Sequence, residues 1–135
     1  MQSASQTAPV STKMLWAGRL IGALAVLFLL FDAIIKVMGL APAVEGTVRL
    51  GYPEGLVLPI GIIELACLVV CVIPRTSILG AILLTGYLGG AVATHVRIGS
   101  PLFSQVLFPI YVGVMLWGGL FLRDHRLRAL VPLRS

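Results

Sequence analysis

Between Ile78 and Arg97 the chain reads ILGAILLTGYLGGAVATHVR, with no Asp, Glu, Lys or Arg before its last position. At 1.5 Å per residue, a helix of about twenty residues crosses roughly 30 Å of hydrocarbon. Lipid offers the backbone no hydrogen-bond partners, so a helix, which satisfies its own peptide groups, is the expected conformation. This run therefore reads as a membrane span. Gly86 and Gly90 have the small-xxx-small spacing that lets a second helix approach closely, and their face is expected to be a helix-packing surface. Thr94 continues that face, with Tyr87 and His95 beside it, so the polar groups of the span sit where partners are expected. On this reading, Leu at Gly86 or Gly90 disrupts the bundle far more than Leu at Gly80.

Composition extends the conclusion to the whole chain. With 59% hydrophobic residues, 11% charged and a mean hydropathy of +1.05, there is too little polar surface for a soluble globule, which usually carries about 25% charged residues. The net charge of +5 does not point to nucleic acid. The basic residues stand at the ends of apolar runs and not in one patch with interleaved aromatics, as topology signals do. Cys67 and Cys71 lie one helical turn apart in an apolar run, leave the helix nearly parallel, and suit a disulfide poorly. Both read as small packing residues.

Residues 1–12 are small, polar and almost free of charge, and read as a disordered tail. The four-helix membrane domain occupies residues 13–123, with spans at about 15–38, 56–73, 77–96 and 102–122. The first run is too long for the apolar core of a signal peptide and carries Asp32 and Lys36 where a cleavage site would stand. Between the first two spans, Leu40, Val44 and Val48 fall four apart on one face, and Glu45 and Arg49 form an i,i+4 pair on another. A short helix on the membrane surface fits this pattern. Residues 124–135 form a basic tail. The expected fold is thus an all-α membrane protein: a four-transmembrane-helix bundle with a short interfacial helix between spans 1 and 2.

Lysine and arginine counts orient it. Lys13, Arg19, Arg75, Arg123, Arg126, Arg128 and Arg134 fall on the side of the termini, against Lys36, Arg49 and Arg97 on the other. Both termini are therefore expected to be cytoplasmic, and the tail suits anionic lipid. In this topology Asp32 and Lys36 lie late in the first span, Glu64 lies about 12 Å into the second, and His95 and Arg97 end the third. All converge in the outer half. Tyr111 enters the same layer, where Pro109 leaves the Gln105 carbonyl without its intrahelical partner.

Each of these residues has a plain structural account beside a functional one. Asp32 and Lys36 are i,i+4 neighbours that can satisfy each other near the headgroups. His95 can be an ordinary interfacial histidine, and the other histidine, His125, falls across the membrane, which disfavours a bis-histidine haem. Glu64 is harder to explain away, because a carboxylate at that depth is costly unless protonated or paired. The sequence holds no phosphate loop, nucleophile triad or metal-ligand cluster, so no self-contained catalytic motif and no metal site is assigned.

The Lys36 that closes span 1, the surface segment ending in Leu50-Gly51-Tyr52-Pro53, the Gly61-Ile62-Ile63-Glu64-Leu65 opening of span 2, and Leu84-Thr85-Gly86-Tyr87-Leu88-Gly89-Gly90-Ala91 through His95 together resemble the DoxX-like membrane proteins over residues of about 15–133. The resemblance implies a four-helix bundle in the bacterial inner membrane. The namesake proteins are linked to a thiosulfate:quinone oxidoreductase, and other relatives to membrane redox and oxidative-stress complexes. Lys36 and Glu64 match the family pattern, and His95 and Tyr87 match the subgroup this chain looks like.

The leading expectation is a quinone-linked redox subunit. A quinone would be hydrogen-bonded by Lys36, His95 or Tyr111, and Glu64 would pass protons. No cofactor is expected within the chain itself, and electrons would require a redox partner protein. The alternatives are a small proton-coupled transporter, since four spans with one buried carboxylate resemble the small multidrug-resistance exporters, and a non-catalytic accessory subunit. Besides the lipid bilayer, a second copy of the chain is a candidate partner. Ligand-binding or proton-relay candidates are Lys36, Glu64, His95, Asp32, Tyr87, Arg97 and Tyr111, with Lys36 and Glu64 expected to act as one site joined by Asp32, His95 and Arg97. The topology is directly testable. A cysteine introduced at Ser100 is expected to react with an impermeant thiol reagent added outside the cell, and one at Ser3 is not.

Overall fold

The computed structural model of the chain describes residues 11–130. Helix α1 (Thr12–Val37) is followed by the short α2 (Ala41–Arg49), then α3 (Val57–Val72), α4 (Ser77–Arg97), α5 (Phe108–Arg123) and the short α6 (His125–Leu130). Single 3-10 turns lead into α3 and α4, and a π turn, Leu102–Val106, leads into α5. Four segments are long and apolar enough to cross a membrane: Thr12–Val37, Glu54–Val72, Pro74–Arg97 and Leu102–Arg123. The molecule is an all-α four-span bundle with a short helix between the first two spans.

Of the disordered tail expected over residues 1–12, residues 1–10 lie outside the described chain. Thr12 begins α1, and the Ser11 hydroxyl caps that helix by accepting from the Met14 N–H at 3.1 Å. Of the expected basic tail, residues 125–130 form α6, and residues 131–135 lie outside the described chain.

Local chemistry sets where the helices stop. Gly39 and Gly99 adopt φ of 68° and 71°, the left-handed conformation that resists a side chain. Each completes a Schellman closure, with Leu40 N–H on the Ile35 carbonyl and Ser100 N–H on that of His95. Lys36 and His95 are thereby held in the last turns of α1 and α4. At the start of span 4, Pro109 has no N–H to offer, and the backbone widens into i→i+5 bonds from Val106 N–H to Pro101 and from Leu107 N–H to Leu102.

Helices α1, α3, α4 and α5 pack as a closed ring, each touching two neighbours. One leucine from each, Leu29, Leu68, Leu84 and Leu116, fills the centre. Three small-residue contacts bring backbones together. Gly119 of α5 meets Gly18 and Gly22 of α1, where an added Cβ would stand 2.9 Å from the Gly18 carbonyl oxygen. Gly61 of α3 meets α1, and a Cβ there would be 2.7 Å from the Cβ of Lys36. Gly80 of α4 lies directly on the backbone of Cys71.

The packing face expected at Gly86 and Gly90 is corrected by this arrangement. Both glycines are exposed, and a Cβ on either meets nothing within 4 Å. Helix α4 turns Gly80, Ala81, Leu84 and Leu88 toward the bundle instead, because these supply both a close approach and apolar volume. Helix α2, the short helix expected between the first two spans, buries Ala43 and Thr47 and leaves Leu40 and Val48 exposed. Among the described residues, Glu45 and Arg49 form no ion pair.

Forcing side-chain volume into a tight contact typically costs about 1–3 kcal/mol, whereas exposed substitutions stay within about 0.5. Gly80→Leu and Gly119→Leu are therefore expected to lower the thermal unfolding temperature in detergent clearly, and Gly86→Leu and Gly90→Leu to leave it near wild type. The reverse order would refute the packing scheme.

Candidate functional site

The ring geometry places the last turns of α1 opposite the second and third turns of α3. Gly61 is the local cause: without a Cβ it admits the Lys36 stem, and Glu64, almost one turn further along α3, then faces the Lys36 ammonium. The Lys36 Nζ donates to Glu64 Oε2 at 3.0 Å, to Asp32 Oδ2 at 2.5 Å and to the Tyr87 hydroxyl at 2.7 Å. All three ammonium protons are used. The Tyr87 hydroxyl in turn donates to Glu64 Oε2 at 3.0 Å, so α1, α3 and α4 are tied by one hydrogen-bonded unit.

Burial differs sharply within the unit. Glu64 is fully enclosed, the Lys36 side chain is 14% exposed, and that of Asp32 is 31% exposed. Two carboxylates against one ammonium leave a formal charge of −1 when both acids are ionised. One oxygen, Glu64 Oε1, is buried with no hydrogen-bond partner among the described residues. A buried acceptor left unpaired normally costs about 1–3 kcal/mol, and a single added proton would both neutralise the cluster and turn that oxygen into a donor.

Beside the cluster a cavity of about 610 Å³ opens between α1, α2, α3 and α4. Asp32, Lys36 and Tyr87 form its polar wall, and Ile35, Ile60 and Ile63 its apolar one. Gly86 and Gly90, expected as packing residues, border this space, and their missing side chains help to keep it open. Thr94 and Tyr52 line a further part, their hydroxyls 2.9 Å apart, and the Thr94 hydroxyl is also bonded to the Gly90 carbonyl at 2.8 Å. Gln105 from the π turn borders the same space.

Of the seven candidate residues, Asp32, Lys36, Glu64 and Tyr87 come together in one unit. His95 lines the cavity but pairs through Nδ1 with the Ser100 hydroxyl at 3.0 Å, outside the Lys36 network. Arg97 does not join it either. Its guanidinium folds over Gly51 and donates to the Leu50 carbonyl at 3.0 Å, fastening the end of α2 to α4. Tyr111 points elsewhere, donating to the Phe103 carbonyl at 3.0 Å, because the π turn rotates the start of span 4 relative to a continuous helix. Tyr52 and Gln105 were not anticipated as cavity residues. The one sequence signal for Tyr52 was its place in the Leu-Gly-Tyr-Pro segment, and for Gln105 its position four before Pro109.

A membrane bundle with a buried ion cluster across three spans, open on one side to a cavity, is the class of protein that fold and geometry define. Within that class, the profile of the DoxX-like family matches residues 20–119, and the chain belongs to this family. It matches no curated protein and no solved structure.

Removing one partner of a buried ion pair generally costs about 3–5 kcal/mol, because the other charge stays behind. Lys36→Met strands two carboxylates and is expected to be the most damaging single change in the cluster. Lys36→Met combined with Glu64→Leu strands only the partly exposed Asp32 and is expected to recover most of the loss. Unfolding in detergent read by circular dichroism checks the order, and a double variant less stable than Lys36→Met alone would contradict it.

Proposed function

We propose that this DoxX-like protein is a membrane subunit of a quinone-linked redox system, embedded in the bacterial inner membrane with both termini cytoplasmic. Its ligand is a quinone-class molecule seated in the cavity beside Asp32, Lys36 and Tyr87. The observation that carries the reading is a hydrogen-bonded cluster of two carboxylates, an ammonium and a phenol whose partly exposed carboxylate lines a mostly apolar cavity. About 300–1,000 Å³ with a few convergent polar groups is usual for small-molecule sites, and the cavity's 610 Å³ falls within that range.

Such a ligand supplies a couple of two electrons and two protons. The chain's own residues account for binding and for protons. Because the Lys36 protons are all engaged, the member of the cluster most open to a ligand is Asp32, whose side chain is the most exposed of its charged groups. An acceptor at this position favours a ligand that donates a hydroxyl proton, and so the reduced, hydroxyl-bearing form. Lys36 bridges Asp32 to Glu64, and Glu64 Oε1 is the buried position that can hold a proton. Electrons pass to a redox partner protein, since the assigned residues here bind and move protons only.

A second reading, a small proton-coupled transporter, is favoured by one observation, the two carboxylates that offset Lys36 at the cavity wall, and opposed by Arg49, which lines the same cavity with no acidic partner among the described residues.

Protein purified in mild detergent is expected to retain quinone, visible as an ultraviolet difference spectrum between oxidised and borohydride-reduced organic extracts. Gly86→Leu places a side chain at the cavity edge and is expected to lose at least half of that quinone with an unchanged melting temperature. Lys36→Met with Glu64→Leu is expected to fold and yet bind none. Wild-type protein that neither retains quinone nor binds an added short-chain ubiquinone would overturn the redox reading, and proton-driven cation uptake into vesicles would then favour transport.

A further inference from the structure

At the opposite end of the bundle we infer a separate site that takes the phosphate headgroup of an acidic phospholipid. A cavity of about 690 Å³ lies between α1, the end of α3 and the end of α5. Arg19, Arg123 and Arg126 line it together with Asp124, three guanidinium groups against one carboxylate, a formal balance of +2.

The carboxylate is already committed. Asp124 Oδ1 accepts the backbone N–H of Arg126 at 2.9 Å and begins α6, and its contact with the Arg126 Nε is long, at 3.8 Å, beside a side chain that is 79% exposed. Two of the three guanidinium groups are not. Arg123 is half-buried, and its one hydrogen bond among the described residues runs from Nε to the Gly119 carbonyl at 3.2 Å, leaving both terminal nitrogens without an acceptor. Arg19 stacks over the Trp16 ring at 5.1 Å and has no acidic partner among the described residues. The half-buried Arg123 lacks an acceptor for its terminal nitrogens, the exposed Arg19 and Arg126 flank it on the same cavity, and guanidinium groups pair with phosphate oxygens in bidentate fashion.

The shape of the cavity selects a lipid over a free anion. Below the arginines its wall becomes apolar, with Val26, Val72, Leu116 and Leu120. From Arg19 to Val26 the helix descends about 10 Å, so a phosphate bound at the top has room for the beginning of an acyl chain beneath it. Basic pockets between spans are the usual setting for acidic headgroups. The site is independent of the Lys36 cluster and of the redox reading.

The test uses the full chain in detergent and three probes: dioleoyl phosphatidic acid, dioleoyl phosphatidylcholine and inorganic phosphate, with binding followed by native mass spectrometry and by thermal shift. Phosphatidic acid is expected to bind at least tenfold more tightly than phosphatidylcholine. Arg19→Gln and Arg126→Gln are each expected to weaken it about fivefold, and the pair about 25-fold, from the usual contribution of one basic residue near an anionic lipid. Arg19→Lys with Arg126→Lys should bind more tightly than the glutamine pair, because charge is kept, and more weakly than wild type, because an ammonium cannot pair bidentately. Arg123 is left intact because its stem packs on Gly18. Equal binding of the two lipids, or an Arg19→Gln, Arg126→Gln variant that binds phosphatidic acid like wild type, would overturn the site. Inorganic phosphate binding as tightly as phosphatidic acid would overturn the lipid assignment.

Discussion

The constraint on which the structure rests is the cost of charge in hydrocarbon. Translocon-based scales place an Asp, Lys or Arg at the centre of a span at about +2.5–3.5 kcal/mol, so no helix here can carry its charge alone. Lys36 resolves the difficulty for three helices at once. By giving its three protons to Asp32, Glu64 and Tyr87, it makes α1, α3 and α4 mutually dependent. Gly61 is the small residue that makes this geometry reachable, since any side chain there would collide with the Lys36 stem. The bundle's most polar contact and one of its closest backbone contacts are thus the same place, and neither forms without the other.

The two ends of the bundle are chemically opposite. The end that holds the α1–α3 and α4–α5 connections carries the Asp32–Lys36–Glu64–Tyr87 cluster beside a cavity, covered by α2, which Arg97 fastens through the Leu50 carbonyl. The terminal end carries three arginines against one aspartate around a second cavity. The middle is apolar, filled by four leucines. Such a layout keeps the field of one end from neutralising the other, because low-dielectric packing separates them. It also explains why apolar residues are exposed along every long helix: in a bilayer that surface faces lipid, and the inward stripe needs only small residues and leucines.

Membrane insertion, the number of spans and the short helix after span 1 were all legible in the residues, because hydropathy over about twenty residues and Gly or Pro punctuation are local properties. So was the meeting of Lys36 with Glu64, which depth alone suggests once two neighbouring spans run antiparallel. The rotation of each helix about its axis was not legible. Gly18, Gly22, Gly80, Gly86 and Gly90 look alike in sequence, and each pair at spacing four offers the same invitation to pack. Which ones are used depends on what the facing helix brings: Gly119 fits Gly18 and Gly22, Cys71 fits Gly80, and nothing approaches Gly86 or Gly90.

The sequence by itself determined that this chain spans a membrane four times and that Asp32, Lys36 and Glu64 lie at similar depth in one half of it, because lipid penalises unpaired polar groups whatever their neighbours. Tertiary structure alone decided which charges meet. Tyr87 joins the Lys36 unit through the rotation of α4, whereas His95, one turn short of the Gly99 closure, turns to Ser100. Tyr111 is withdrawn by the π turn ahead of Pro109, a shift in register that moves a side chain around the helix without changing its depth. Depth is a one-dimensional quantity that the order of residues encodes. Facing is relative, and is set only when all four helices minimise their shared contacts together.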